Sequence, residues 1–494
     1  MNDREIPLRE IDMNEMTHPQ QSGFKTIYFF WLGFCAVMTF LVYQVAAGMD
    51  WEAGTRVSIV WGIILFASHF LFKLLNKPVN WMTPDVLYLL AFFCFHFGYL
   101  ALWLFGVVPF TGDIFIYPPL YPKVMMIVNL GMVGFLVGYT LFAPDTDFIY
   151  PKGIPSVGWT VLGLLLMCIS LLIHLIYIHI VGLSTFLYHG YHVSSFMQEY
   201  VSDPRWWRLQ PHFFALGFAF YLISTVMRKG KIAAGKLGLA LFAFYLLLLI
   251  MEGGRTQIVT VGAILIFVQH YLVKPIKLRW LIVIGLLAVT LFGAIAIVRE
   301  TSALDFFRAG EALMYAKQRG EVRWYAPLVE MGGSVRTINL TVNLVPEYQP
   351  FWHGKSYLQS IVHIFPFLQG LLYEKLGVGP AQWTTYTYYG YGAAGTGYSI
   401  AGEGYLNFGM VGALLNMCFM GALLAIIYAK CIKNRTPGST LVFIVTLGIM
   451  IISVRNETNV IFAPIAQSIA MVVFLRYILP VHETIPMEGC LYES

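Results

Sequence analysis

The sequence predicts an all-α polytopic membrane protein of about twelve transmembrane helices, with one long, partly helical outer loop between the ninth and the tenth. Two observations predict it. Of 494 residues, 58% are hydrophobic and only 12% charged, an excess that no soluble core needs. Mostly apolar stretches, each long enough to cross a bilayer as a helix, recur along the whole length.

The first 26 residues are polar and acid-rich, with no short apolar run ending in small residues, and read as a cytoplasmic tail rather than a cleavable leader. Nine spans occupy 27–298, at about 27–48, 56–75, 84–106, 123–143, 158–181, 211–227, 234–251, 256–272 and 279–298. Residues 299–406 form the long outer loop. Three more spans occupy 407–479, at about 407–428, 440–456 and 460–479, and 480–494 is a second cytoplasmic tail. Cys35, Cys94, Cys168 and Cys418 lie inside spans, and Cys431 and Cys490 fall on the inner side, so no outer disulfide framework is expected.

Basic residues set the orientation. With both termini inside, the short inner segments collect Lys25, Lys73, Lys77, Lys152, the group Arg228, Lys229, Lys231 and Lys236, then Lys274, Lys277, Arg279, and Lys430, Lys433, Arg435. Short outer loops hold few bases, as the positive-inside rule requires. The inner bases are mostly Lys and the outer ones mostly Arg. Charge alone sets topology, but a planar guanidinium grips phosphate or carboxylate in a bidentate way.

The outer Arg residues are therefore candidate diphosphate ligands: Arg255, Arg299, Arg323, Arg336 and Arg455. Spans eight and nine each run about 20 residues, roughly 30 Å of helix, which as antiparallel neighbours puts Arg255 and Arg299 at one depth. The turn "EGGRTQ" (252–257) opens a helix whose first amides suit an anion. In the loop, "ALDFFRAGEALMYAKQ" (303–318) and "GKSYLQSIVHIFP" (354–366) read as interfacial helices, and "WTTYTYYGYGAAGTGYS" (383–399) as an aromatic, glycine-rich surface for sugar rings.

"GTGYSIAGEGYLNFGMVG" (395–412) places Glu403 between glycines, where a glycine turn becomes the tenth span. With Ser399 as N-cap, Glu403 falls in the first turn, where the helix dipole favours its charged form. Two readings stand: a helix-start acid, or a general base for a sugar hydroxyl, with Gly402 and Gly404 clearing the approach and Tyr398 and Tyr405 meeting the glycan. His353 and His363 are rival bases, and His189 and His192 more distant ones. No nucleotide-binding glycine loop, metal-spaced His/Cys cluster or nucleophile elbow occurs, so no cofactor, metal or nucleic acid is expected. The spans carry almost no acids, which favours an enzyme over a transporter.

Together, "GxGYSxxGEGYLNFGxxG", the "GGRT" turn (253–256) and "GKSYLQSIVHIFP" resemble the Wzy-type bacterial polysaccharide polymerases, which act on O-antigen and exopolysaccharide repeat units. The resemblance implies a metal-independent glycosyltransferase of the bacterial cytoplasmic (inner) membrane. Its donor is a glycan on undecaprenyl diphosphate, and its acceptor a hydroxyl of another lipid-linked unit on the outer face. It also implies the bilayer, a chain-length regulator and a flippase as partners. O-antigen ligases share the architecture and donor. A polyprenyl-phosphate-sugar glycosyltransferase, which often keeps acids such as Asp50 and Glu52 in its first outer loop, and a lipid-linked oligosaccharide flippase remain the alternatives.

Overall fold

A computed structural model describes residues 19–75, 80–112, 114–146, 148–187, 210–252, 254–300, 325–365, 368, 376–390, 397–478 and 481–482. Its helices are α1 (Pro19–Ala47), α2 (Trp51–Leu75), α3 (Pro84–Leu104), α4 (Tyr121–Phe142), α5 (Val157–Val181), α6 (Gln210–Lys229), α7 (Lys236–Glu252), α8 (Arg255–Val268) and α9 (Leu278–Glu300). The long connection holds α10 (Ala326–Gly332), α11 (Val335–Leu344), α12 (Lys355–His363) and α13 (Pro380–Tyr389). Then come α14 (Ile400–Asn434), α15 (Pro437–Ser453) and α16 (Thr458–Ile478). A two-residue antiparallel bridge pairs Ile154 with His482 and Pro155 with Val481.

Each of the twelve expected spans is a helix, and the chain is a polytopic all-α membrane protein. Eight helical stretches, in α1 to α5, α8, α14 and α16, are long and apolar enough to cross a membrane by length and composition alone. The α15 helix and Leu278–Ala288 within α9 are shorter apolar helices. The apolar residues Val161, Leu165, Leu172 and Ile176 on α5, and Val411, Leu415 and Phe419 on α14, stand exposed. Helices whose outward faces are apolar require lipid rather than water around them. The 303–318 segment lies outside the described residues.

The core of the bundle is the α4–α14 pair, the most extensive helix contact among the described residues. The contact is close because it is built on glycine. A Cβ on Gly138 would overlap the Cys418 carbonyl, one on Gly134 the Leu414 carbonyl, and one on Gly421 the Phe135 carbonyl. Small residues let membrane helices approach to backbone contact and gain dispersion energy where no hydrophobic effect drives association. Gly138→Val should force the pair apart. Overpacking costs about 1–3 kcal/mol, and the expected result is a lower melting temperature in detergent. An unchanged melting temperature would show that the pair is not what holds the bundle.

At one end of the bundle, Lys73 Nζ lies 2.9 Å and His69 Nε2 3.1 Å from Asp85 Oδ2, and Tyr28 Oη lies 2.6 Å from His69 Nδ1. Lys25 pairs with Asp145 there as well. At the other end, the long connection folds over the tips of the bundle. Asn339 exchanges two hydrogen bonds with Tyr117, accepting at 2.9 Å and donating at 3.0 Å. The buried face of α12 is polar, with Ser356, Gln359 and Ser360, while Leu358 and Ile361 are exposed. Such a helix turns its polar side into the protein and its apolar side outward.

Candidate functional site

The α14 helix is two helices. Phe408 (φ −143°, ψ 22°) and Gly409 (φ 66°, ψ −149°) break it, and Gly409 adopts a backbone that only glycine takes without strain. The Asn416 amide donates to the Ile400 carbonyl at 2.8 Å, although a continuous helix would set those residues roughly 24 Å apart. Residues 400–407 therefore run back along 410–434 as a hairpin. Gly404 and Gly412 make the fold possible, since a Cβ on either would overlap the other's carbonyl. Ala401 reaches Gly131 in the middle of α4. Irregular backbone at membrane depth is tolerated where it is buried in protein, as here.

This hairpin corrects the expected setting of Glu403. Ser399 is the N-cap, accepting from Gly402 N at 3.4 Å, and Glu403 is in the first turn. That turn is not an open helix mouth: Glu403 is 0% exposed. Thr458 N donates to Oε2 and Thr458 Oγ1 donates to Oε1, each at 2.7 Å. The carboxylate thus caps α16 and pins the short helix to it, where the α16 dipole favours a negative charge. Thr458 Oγ1 also lies 2.7 Å from Ser360 Oγ of α12. Of the flanking glycines, Gly404 packs against the Gly412 backbone of α14 and Gly402 against Ile338 of α11.

Tyr398 and Tyr405 do not face open space either, being 0% and 2% exposed. Tyr398 Oη lies 2.7 Å from Thr341 Oγ1, and Tyr405 Oη donates to the Val345 carbonyl at 3.0 Å. Neither ring has a face left for a sugar. Exposed aromatic surface is found instead at Tyr348, Tyr389 and Phe408.

His353 is exposed, on the turn between α11 and α12, and carries φ 46°, one of two non-glycine residues in the left-handed region among those described. Its ring lies 6.5 Å from that of Phe351 and 6.4 Å from that of Phe408, at the hairpin tip. His363 ends α12, with Nδ1 2.7 Å from the Gln359 carbonyl. His189 and His192 lie outside the described residues.

Arg255 forms an ion pair with Glu330 of α10. Arg336, at the start of α11, sets its guanidinium 5.6 Å from the Tyr389 ring. The Arg455 carbonyl accepts from Tyr398 N at 3.1 Å, and the Arg455 side chain lies against Gly397. These three arginines border α10, α11 and the chain entering α14. Arg323 lies outside the described residues, as does the side chain of Arg299.

Several residues of the site carried no sequence signal of their own. Asn407 and Thr458 bond to partners more than fifty positions away. Glu457, on the turn before α16, caps α13: its Oε2 accepts from Ala381 N at 2.8 Å, and burial pushes its carboxyl above the usual range. Lys123 lies 5.5 Å from the Tyr405 ring and Lys355 4.9 Å from the Trp352 ring. Only the "HGK" run (353–355) could have been read directly, as a histidine and a cation on a glycine turn.

The comparison that decides the family spans nearly the whole chain. The family model described as O-antigen polysaccharide polymerase Wzy matches residues 27–482. The chain belongs to this family. It is also similar to Protein CapE of Staphylococcus aureus, at 27% identity over 150 residues, which is 30% of this chain and 30% of the relative. The aligned stretch thus covers under a third of that protein. No solved structure matches the chain.

Proposed function

We propose that this Wzy-family protein polymerises lipid-linked oligosaccharide repeat units at the outer face of the bacterial cytoplasmic membrane. The growing glycan leaves undecaprenyl diphosphate and joins a hydroxyl of another lipid-linked unit. The acceptor oxygen bonds to the anomeric carbon, the bond from that carbon to the diphosphate breaks, and the acceptor proton passes to His353. The diphosphate departs with its electron pair and needs no acid. The family match across residues 27–482 carries this reading.

The roles follow from what the site offers. His353 is the base because it is the exposed one among the described candidates, whereas Glu403 is enclosed and already accepts two bonds. An imidazole nitrogen carries the lone pair that accepts the acceptor proton. Arg255 and Arg336, with Arg455 beside them and Arg299 and Arg323 as further members, take the diphosphate charge. Glu330 holds the Arg255 fork in place until the donor arrives. Tyr389 and Tyr348 offer the aromatic faces for sugar that Tyr398 and Tyr405 do not. The base distribution supports both termini in the cytosol.

Purified protein in liposomes, given one lipid-linked repeat unit, should yield a ladder of products spaced by that unit. Transfer of a single unit to a different acceptor glycan, with no ladder, would instead support a ligase. Movement of the labelled lipid between leaflets without any new glycosidic bond would overturn the enzymatic reading.

A further inference from the structure

His353 holds a backbone conformation that costs a non-glycine residue energy, and the next residue, Gly354, is left-handed too at φ 90°. Such a pair persists only where its surroundings over-determine it. Here one residue does so. Asn407 accepts from both amides of the pair, His353 N to its backbone carbonyl at 3.2 Å and Gly354 N to its side-chain Oδ1 at 2.9 Å. Its side-chain amide donates to Ser356 Oγ at 2.7 Å and to the Glu403 carbonyl at 2.9 Å. Asn407 is 0% exposed, so water does not substitute for any of these bonds.

The position of Asn407 matters as much as its bonds. It is the last residue before the break at Phe408 and Gly409, and hence the tip of the short helix that Glu403 pins to α16. Trp352 N adds a bond to the neighbouring Leu406 carbonyl at 3.0 Å. The turn bearing the histidine is therefore fastened to the hairpin tip, and the tip is fastened to the bundle. A rigid support of this kind is what a base needs to meet an acceptor hydroxyl in a near-attack geometry.

We propose that Asn407 is a positioning residue for His353: its side chain, holding Gly354 N and tied to Ser356 and the Glu403 carbonyl, sets where the imidazole stands over the acceptor hydroxyl. Asn407 touches no substrate and acts only through the histidine. The inference rests on the assignment of His353 as the base.

The test is a double-mutant comparison on full-length protein in liposomes, read as ladder formation from the lipid-linked repeat unit. Asn407→Ala should slow turnover by about 10²-fold, the loss that roughly 1 Å of misplacement brings, with the donor concentration for half-maximal rate unchanged. Added to His353→Asn, the same change should slow the residual reaction by less than about 2-fold, because the group it positions is gone. A merely structural Asn407 would lower both backgrounds by the same factor, and that result overturns the proposal. A near-wild-type rate for Asn407→Ala, with His353→Asn inactive, overturns it while leaving the base assignment standing. Full activity of His353→Asn overturns both. If Asn407→Ala does not fold, Asn407→Leu, which fills the volume of the side chain and removes the acceptor for Gly354 N, replaces it in the same comparison with the same criterion.

Discussion

Replacing His353 with asparagine should leave a folded, donor-binding protein that does not polymerise. Asparagine visits the left-handed region as readily as histidine, so the turn at φ 46° is retained. It keeps a polar side chain at an exposed position, where substitutions move stability by only about 0.5 kcal/mol. What it loses is the imidazole nitrogen that takes the acceptor proton, a function worth about 10²–10⁴-fold in turnover. His363→Asn is the companion variant. That histidine ends α12, with Nδ1 against the Gln359 carbonyl, and its replacement should leave the ladder intact. A His353→Asn protein that builds the wild-type ladder at the wild-type rate would remove the histidine from the mechanism. Loss of the ladder with His363→Asn alone would move the base to α12.

The lipid-crossing helices were legible because the requirement they meet is local. About 20 apolar residues in a row suffice to span a bilayer, and every such run is a helix. The tenth span shows where that logic stops. Hydropathy starts the span near 407, after the polar pair Glu403 and Asn407, but nothing in it shows that the helical residues 400–407 turn back along those after Gly409. The reversal is recorded only in glycine placement: Gly409 for its positive φ, and Gly404 and Gly412 for backbone contact eight positions apart. In the sequence alone Gly402 and Gly404 read as room for a glycan, since a missing side chain looks alike whether sugar or protein fills the gap.

The site was legible in its charges and not in its contacts. An acid in the first turn after a serine N-cap is a local pattern, and it holds. That its oxygens are taken by Thr458 is a fact about residue 458, visible only when α16 is packed beside α14. Arg255 likewise opens α8 as read, but its partner Glu330 comes from the long connection. Burial separated the histidines, and burial is a property of the fold rather than of the tetrapeptide around each ring.

Glu403 tests the hairpin most directly, because its two replacements should part company. Glu403→Gln keeps the length of the side chain and an oxygen for Thr458 N, and its amide donates to the Thr458 hydroxyl, which accepts as well as it donates. What disappears is the charge at the start of α16, worth about 0.3–1 kcal/mol at an exposed helix end and up to about 2 in a more buried one. The melting temperature should fall modestly and the ladder should persist. Glu403→Ala removes both acceptors. It leaves the Thr458 amide buried without a partner, at about 1–3 kcal/mol, and opens a gap between α14 and α16. The short helix then loses its anchor, the support of the His353 turn loosens through Asn407, and both stability and turnover should drop together. If Glu403→Gln is as stable as the parent yet slower by about 10²-fold or more, the carboxylate takes part in the chemistry after all, and the hairpin must open to let the acceptor reach it.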